Sequence, residues 1–574
     1  MVKREHTPRL VTTRRDTAGK RLLEIHRLGA HPIIQHFLDQ IGVARILDKH
    51  IHSNREGVLS HGRAICVLVH NVLVSRDPLY RLTEWAEPID PHALGLAPEE
   101  KLALNDDRMG RALDQIAEYA GRGVFFQLAL RCIKLFELET KRIHFDTTTV
   151  TFTGQYAGSI REPVITHGHN KDHKPHLKQL VFGLNVTADG AVPLSHQVSS
   201  GNRTDDTFHR DNFDALRDLL AKNDFIYVAD SKLCTKENLK HIHDFGGKFV
   251  TVMPQTRKED TEFRQRLRHK AGRWWNMLTV EVPGGGGGVE TYSITVGPEK
   301  TEDSFRLLWL KSSAKAEQDH SGRQERLEKA KAALRDLREG LNQRQLKTHK
   351  QILQAVRKIL KEHRCEDFLR VKISSKVLTT TKRLRPGRPK PGDPRQWVSE
   401  IVYDFEVAEE AVRLRQEGNT DGVFPLVTNI PAKEAKPVEI LQMYRYQPYL
   451  ERRFQNLKTE YAVAPAYLKK PERIVGLLHV YFLALTVGAL LEREIRRGME
   501  KDGIEALPIY PEERQCQAPT SPRIFELFAQ VDWFRQLTGE TEAVFPVSLS
   551  ELQRQVLKLL GVPLTAYDET PPRP

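Results

Sequence analysis

Arg142-Ile143-His144-Phe145-Asp146-Thr147-Thr148-Thr149-Val150-Thr151-Phe152 is the stretch on which the fold turns. It is rich in β-branched and aromatic residues and alternates, which reads as a strand. Leu177 to Thr187 reads as a second strand, Ala188-Asp189-Gly190 as a tight turn, and Ala191 to Val198 as a third strand, so the three form an antiparallel meander. A helix over Thr207 to Ala221, the apolar strand Phe225 to Asp230, a helix over Thr235 to Asp244 and a strand over Lys248 to Met253 come next. The resulting order, β-β-β-α-β-α-β, predicts a mixed α/β sheet.

On the N-terminal side, Ile25 to Leu138 has apolar residues at i, i+3 and i+4, as in Ile33-Ile34-Gln35-His36-Phe37-Leu38, and reads as helical. After Met253 the rhythm stops for about 180 residues, which we read as an insertion. It holds the Gly284 to Gly288 run, short strands at Thr291 to Val296 and Phe305 to Leu310, and a charged helical stretch from Arg323 to Arg364. Leu327, Leu334 and Leu341 fall seven apart, but the repeat fades after two heptads, so a helical hairpin is expected there. That stretch carries thirteen Lys/Arg against five acidic residues, either a solvated face or a face for the DNA backbone. The basic run Lys382 to Pro391 reads as an exposed loop or a minor-groove segment.

Sheet-like sequence returns at Phe424 to Asn429, then helices over Val438 to Met443 and Tyr449 to Tyr461, with Pro448 in a first turn. Ile474 to Leu491 is almost wholly apolar and long enough to be weighed as a membrane span, although a helix buried in a large core is the expected form. Helices are expected again at Ile524 to Leu537 and Leu549 to Leu560. The expected boundaries are a mostly helical N-terminal domain (1–138), a first core segment (139–255), a basic insertion (256–420), a second core segment (421–500) and a C-terminal helical tail (501–574).

Composition bounds the function. The chain has 574 residues, and 88 Lys+Arg against 75 Asp+Glu leave +13, which favours a polyanionic partner, nucleic acid first. Hydrophobic residues at 39% and charged ones at 28% exclude a fibrous or disordered class. Cys66, Cys132, Cys234, Cys365 and Cys516 lie far apart with no CxxC pair, so neither a disulfide framework nor a cysteine zinc finger is supported. No apolar segment stands behind the charges of Met1-Val2-Lys3-Arg4-Glu5-His6, and the expected location is the cytoplasm.

Asp146 lies within an apolar β-branched strand and Asp230 ends another. A lone carboxylate at such positions is costly unless paired or bound to a cation, so the two suggest a metal site. A hard cation such as Mg2+ takes oxygen ligands and leaves room for a substrate phosphate, which suits phosphodiester chemistry. Glu451, on the first turns of a helix after the insertion, is the candidate third acid, and Lys458 lies seven residues on, close to the same helical face. His167, His169, His173 and His176 cluster in sequence, but their spacing fits no standard zinc site.

These residues, with Tyr444 ahead of Glu451 and Lys458 behind it, resemble the insertion-sequence DDE transposases that carry a Tyr-x2-Arg-x3-Glu-x6-Lys signature, the insertion sequence 4 and insertion sequence 1634 type. Asn105-Asp106-Asp107-Arg108 with Ala112-Leu113-Asp114, Lys171-Asp172-His173-Lys174-Pro175 with Leu177-Lys178-Gln179, and Gly201-Asn202-Arg203-Thr204-Asp205 are similar to the latter branch. The resemblance covers residues 25 to 500 and implies an RNase H-like core interrupted by an α+β insertion. It further implies two Mg2+ ions, with Mn2+ as a substitute, held by Asp146, Asp230 and Glu451, and end-DNA contacts from Tyr444 and Lys458. The implied partners are double-stranded DNA carrying terminal inverted repeats, target DNA and a second copy of the chain, at the bacterial nucleoid and without a membrane. The implied reaction is cleavage at transposon ends and then attack of a 3′-hydroxyl on target DNA. The signature arginine position holds Gln447, a departure from the pattern. The alternatives are a DNA-binding descendant without turnover, or a metal-dependent nuclease that cuts without joining.

Overall fold

The computed structural model describes residues 23–51, 58–119, 121–156, 162–281, 288–343, 345–384, 395–463, 468–538 and 541–568. The Gly284 to Gly287 part of the glycine run, the tip of the basic run from residue 385 on, and the last six residues lie outside these. The chain divides into two compact units, one of residues 1–250 with 442–574, the other of residues 251–441.

In the first unit the meander and the α-β-α-β succession after it form as expected. Strands β1 (Arg142–Phe152), β2 (Lys178–Thr187) and β3 (Pro193–Ser200) are successive antiparallel neighbours. Helix α1 (His209–Leu220) leads to β4 (Ile226–Ala229), and helix α2 (Lys236–Asp244) leads to β5 (Lys248–Val252). The order across the sheet is β3-β2-β1-β4-β5, and β4 runs parallel to β1. Antiparallel strands that precede a parallel pair at the centre, joined through helices, give the RNase H-like arrangement.

The apolar segment near the C-terminus becomes helix α4 (Pro471–Lys501), long and apolar enough to cross a membrane by length and composition, yet buried along most of its apolar length. It packs on helices His61–Val74, Asp106–Tyr119 and Glu551–Leu560 and on β3. Gly476 makes the closest of these approaches possible. A Cβ there would lie 2.2 Å from the Leu113 carbonyl oxygen, and Arg473, one turn earlier, bonds Asp114 at 3.0 Å.

Two local expectations are corrected. Ile25–Arg27 belongs to a strand, Leu23–Arg27, and the helix expected through Leu537 ends at Phe528 and gives way to a strand, Asp532–Thr538. The two strands pair antiparallel, Ile25 opposite Phe534, and His26 stacks on Trp533 at 3.9 Å. Each has its partner some 500 residues away, which no local periodicity can register.

The second unit has an antiparallel sheet of strands Val423–Thr428, Arg306–Ser312, Val289–Thr295 and Trp275–Glu281 in that order. The charged stretch is a helical hairpin, Ser313–Glu339 against His349–Glu362. Leu327, Leu334 and Leu341 meet Ile352, Val356 and Leu360 in one core, together with Leu369 and Phe405 from a two-stranded ribbon, Leu369–Arg383 with Arg395–Glu409. The seven-residue leucine spacing therefore marks the buried seam of a hairpin.

Adding a methyl group at Gly476 must push two buried helices apart. Gly476→Ala is expected to cost about 1–3 kcal/mol, in line with overpacked cores, and to lower the thermal unfolding midpoint in calorimetry.

Candidate active site

Asp146 and Asp230 occupy equivalent places on neighbouring strands. The parallel register of β1 and β4 ends at Phe145 opposite Ala229, so each aspartate stands one residue past the last matched pair. Adjacent strands lie about 4.8 Å apart, and the carboxyl ends of parallel strands are where α/β sheets place their ligand sites. Both side chains are oriented by backbone amides. Asp146 Oδ1 accepts from Thr147 N at 2.7 Å, and Asp230 Oδ1 accepts from Lys232 N at 3.0 Å.

Glu451 arrives on helix α3 (Gln447–Gln455), whose first turn contains Pro448 as expected. Gln447, Leu450, Arg453 and Phe454 form the buried face of α3, and Glu451, one turn after Gln447, is exposed at its margin. Three contacts fix this helix. The Gln447 amide donates to the Phe145 carbonyl at 3.2 Å, and its oxygen lies 3.3 Å from His144 Nδ1. With the amide nitrogen committed to a carbonyl, its oxygen accepts from Nδ1–H of that imidazole, which burial pushes down to about 4 and keeps neutral. Tyr446, just ahead of α3, accepts at its hydroxyl from Gly190 N at 2.9 Å.

Arg453 is the third contact and the most buried. It donates to the carbonyls of Gly190 at 2.7 Å and Ala191 at 3.0 Å, and to Glu492 of α4 at 2.7 Å. It thereby joins α3 to the turn between β2 and β3 and to the central helix. Burial raises the Glu492 carboxyl, but Arg453, Arg496 and the Ser521 amide together outweigh it and hold the group below the usual carboxylate range.

The three acids share a neighbourhood. Tyr444 sits where burial, then the charges of Asp230, Glu451 and Asp146, all push its phenol upward, so it remains protonated. Among the described residues no three His, Cys, Asp or Glu side chains form a ready-made metal cluster. The fit to a hard divalent cation therefore rests on donor type, all carboxylate oxygen, and on the matched strand positions of Asp146 and Asp230. Glu451 stands in the same field without closing a coordination sphere.

Lys458 lies on a π-helical turn, Asn456–Glu460, that continues α3, so it departs from the regular two-turn alignment with Glu451. Its ammonium bonds Asp172 at 2.7 Å. The neighbouring Lys171 donates to the Thr147 carbonyl at 2.7 Å and hydroxyl at 2.8 Å, and lies 3.6 Å from Asp146 Oδ1. Sequence reasoning assigns no role to Lys171, to Arg453 or to Gln447. The first lies inside the quoted Lys171-Asp172-His173-Lys174-Pro175 motif, and the last stands out only as a mismatch.

Residues 138–487, more than half of the chain, match the family described as Transposase DDE domain, and residues 23–130 match a domain of unknown function, DUF4277. No curated protein matches the chain. Among solved structures, a piggyBac transposase synaptic complex with hairpin DNA, determined by cryo-electron microscopy, is similar at 10% identity and a TM-score of 0.36, over 87% of this chain and 76% of that one.

A carboxyl held below its unfolded-state pKa, about 4.3 for Glu, adds stability that is present above that value and is lost as pH falls through the folded one. Wild-type stability is therefore expected to drop on acidification below about pH 4. Arg453→Met leaves Glu492 buried without its guanidinium; it should cost about 3–5 kcal/mol at neutral pH and shrink that acid-dependent loss, both measurable by denaturant titration across pH.

Proposed function

The chain belongs to the DDE transposase family, and from that premise we propose that Asp146, Asp230 and Glu451 are its catalytic acids and hold the divalent metal with which this family cuts and joins DNA. Its activity is DNA transposition. The observation that carries the assignment is that Asp146 and Asp230 stand at matched positions one residue past the parallel register of β1 and β4, while Glu451 rides on a helix bonded to the backbone beside Asp146.

Asp146, Asp230 and Glu451 would hold two Mg2+ ions, with Mn2+ able to substitute. When bound, such ions activate the attacking oxygen and offset charge on the leaving one. The chain's own residues supply the frame. Thr147 N and Lys232 N aim the two aspartates, and Gln447 sets the height of Glu451 against β1. Tyr444 and Lys458 face end DNA near the cut, Tyr444 as a protonated hydroxyl donor and Lys458 as a phosphate-directed cation.

The DNA partner carries terminal inverted repeats, read by the helical N-terminal region and gripped by the basic insertion. Two ends must be brought together, so the active form is a homodimer on DNA, working in the cytoplasm at the nucleoid and off the membrane. The Tyr444…Glu451…Lys458 spacing supports placement in the insertion sequence 4 and insertion sequence 1634 group. Gln447, at the signature arginine position, has a job of its own in docking α3, which supports an intact site and not a decayed one.

Purified protein incubated with a plasmid carrying its gene and flanking DNA should cut at both flanks with Mg2+ and not with EDTA. Asp146→Asn, Asp230→Asn and Glu451→Gln should each abolish cutting while leaving DNA binding equal or slightly tighter, since each removes negative charge near phosphate. Binding lost in step with cutting would overturn the direct catalytic roles, and cutting without joined products would favour a nuclease.

A further inference from the structure

Residues 169–174, ahead of β2, are built more firmly than an exposed loop requires. Asn170 is buried, donates to Gln179 Oε1 at 2.8 Å, and accepts at its oxygen from the amides of Asp172 and Lys174 at 2.9 and 3.0 Å. Gln179, fully buried on β2, donates in turn to the carbonyls of His169 and Gly201 at 3.0 and 2.8 Å. Lys171 N bonds the Thr149 hydroxyl at 3.2 Å. Two buried amides thus pin a turn whose two tip residues, Lys171 and Asp172, reach Asp146 and Lys458 respectively.

The geometry at Lys171 is asymmetric. Its ammonium donates to the Thr147 carbonyl and hydroxyl and stands 3.6 Å from Asp146 Oδ1, inside ion-pair range. Its side chain is 29% exposed and that of Asp146 20%, so solvent and a substrate reach both. Thr147 therefore tethers the ammonium beside Asp146 Oδ1, the oxygen that also accepts from Thr147 N. Lys458, through Asp172, is held by the same turn.

We propose that Lys171 is a further residue of the active site, a tethered cation that shares Asp146 with the divalent ion and, paired with Lys458 across Asp172, binds the phosphodiester to be cut. The inference rests on the transposase reading above. A fixed positive charge beside Asp146 weakens metal binding there, and in exchange it supplies a point charge for phosphate where three carboxylates would repel it.

The test compares full-length wild type, Lys171→Met and Lys171→Arg in three measurements. Mn2+ affinity is read from the electron paramagnetic resonance signal of free Mn2+. The salt dependence of binding to duplex from the flanks of the gene is read in EDTA, and Mg2+-dependent cutting of that duplex is read at saturating metal. Lys171→Met should bind Mn2+ about three- to tenfold tighter, lower the slope of log affinity against log salt by about one, and cut at least about tenfold more slowly. Lys171→Arg, which keeps the charge, should hold the wild-type slope and recover part of the cutting.

Unchanged Mn2+ affinity in Lys171→Met would overturn the shared-ligand role, and an unchanged salt slope would overturn the phosphate contact. A cutting defect that merely tracks a fall in melting temperature in both variants would reduce Lys171 to a structural residue. If wild type neither binds nor cuts the duplex, the transposase reading of the site fails, while the Mn2+ titration still decides whether Lys171 and a divalent ion compete for Asp146.

Discussion

The docking of helix α3 by Arg453 and Gln447 is the constraint on which the rest depends. Arg453 is 3% exposed and Glu492 2%, and taking two such charges out of water costs several kcal/mol each before any attraction offsets it. The arrangement is tolerable because the guanidinium also satisfies the Gly190 and Ala191 carbonyls, and Glu492 accepts from the Ser521 amide. A guanidinium that satisfies two carbonyls and a carboxylate at once leaves one seating for the helix that carries Glu451. Direction matters more than strength here: the same area of apolar contact would hold α3 while allowing it to slide.

Such a fixed seating explains how a chain can place a separate unit of residues 251–441 ahead of the helix that carries Glu451. Closing a long loop costs little more than closing a moderate one, because the entropy grows only with the logarithm of length. What a long insertion endangers is the precision of the return. Gln447 on the Phe145 carbonyl, Tyr446 on Gly190 and Arg453 on the same turn restore it within eight residues of chain. The inserted unit carries a core of its own around Leu327, Leu334 and Ile352.

Electrostatically the site is a balance of near neighbours. Carboxylates such as Asp146 repel a phosphate backbone, and the chain's overall charge of +13 acts at distances that salt screens within about 8 Å. Lys171 stands inside that range of Asp146, and the turn anchored on Asn170 and Gln179 that carries it also holds Lys458 through Asp172.

The sequence by itself determined the succession of elements. Alternation gave β1 through β5, heptad spacing gave the helical hairpin, and Pro448 gave the start of α3, because each of these is a local pattern of side chains along one element. It also singled out Asp146 and Asp230, since acids in apolar strands are conspicuous wherever the strands go. Only the tertiary structure decided what depends on pairing across the chain. The strand Asp532–Thr538 exists because Leu23–Arg27 offers it an edge, and α4 is a core helix because other helices cover it. Gln447 is a mismatch until its partner, a carbonyl 302 residues earlier, is known, and Lys171 is one lysine among many until Thr147 and Asp146 stand beside it. A side chain's type is written in the sequence, but its partner is chosen by the fold, and in this site the partner defines the role.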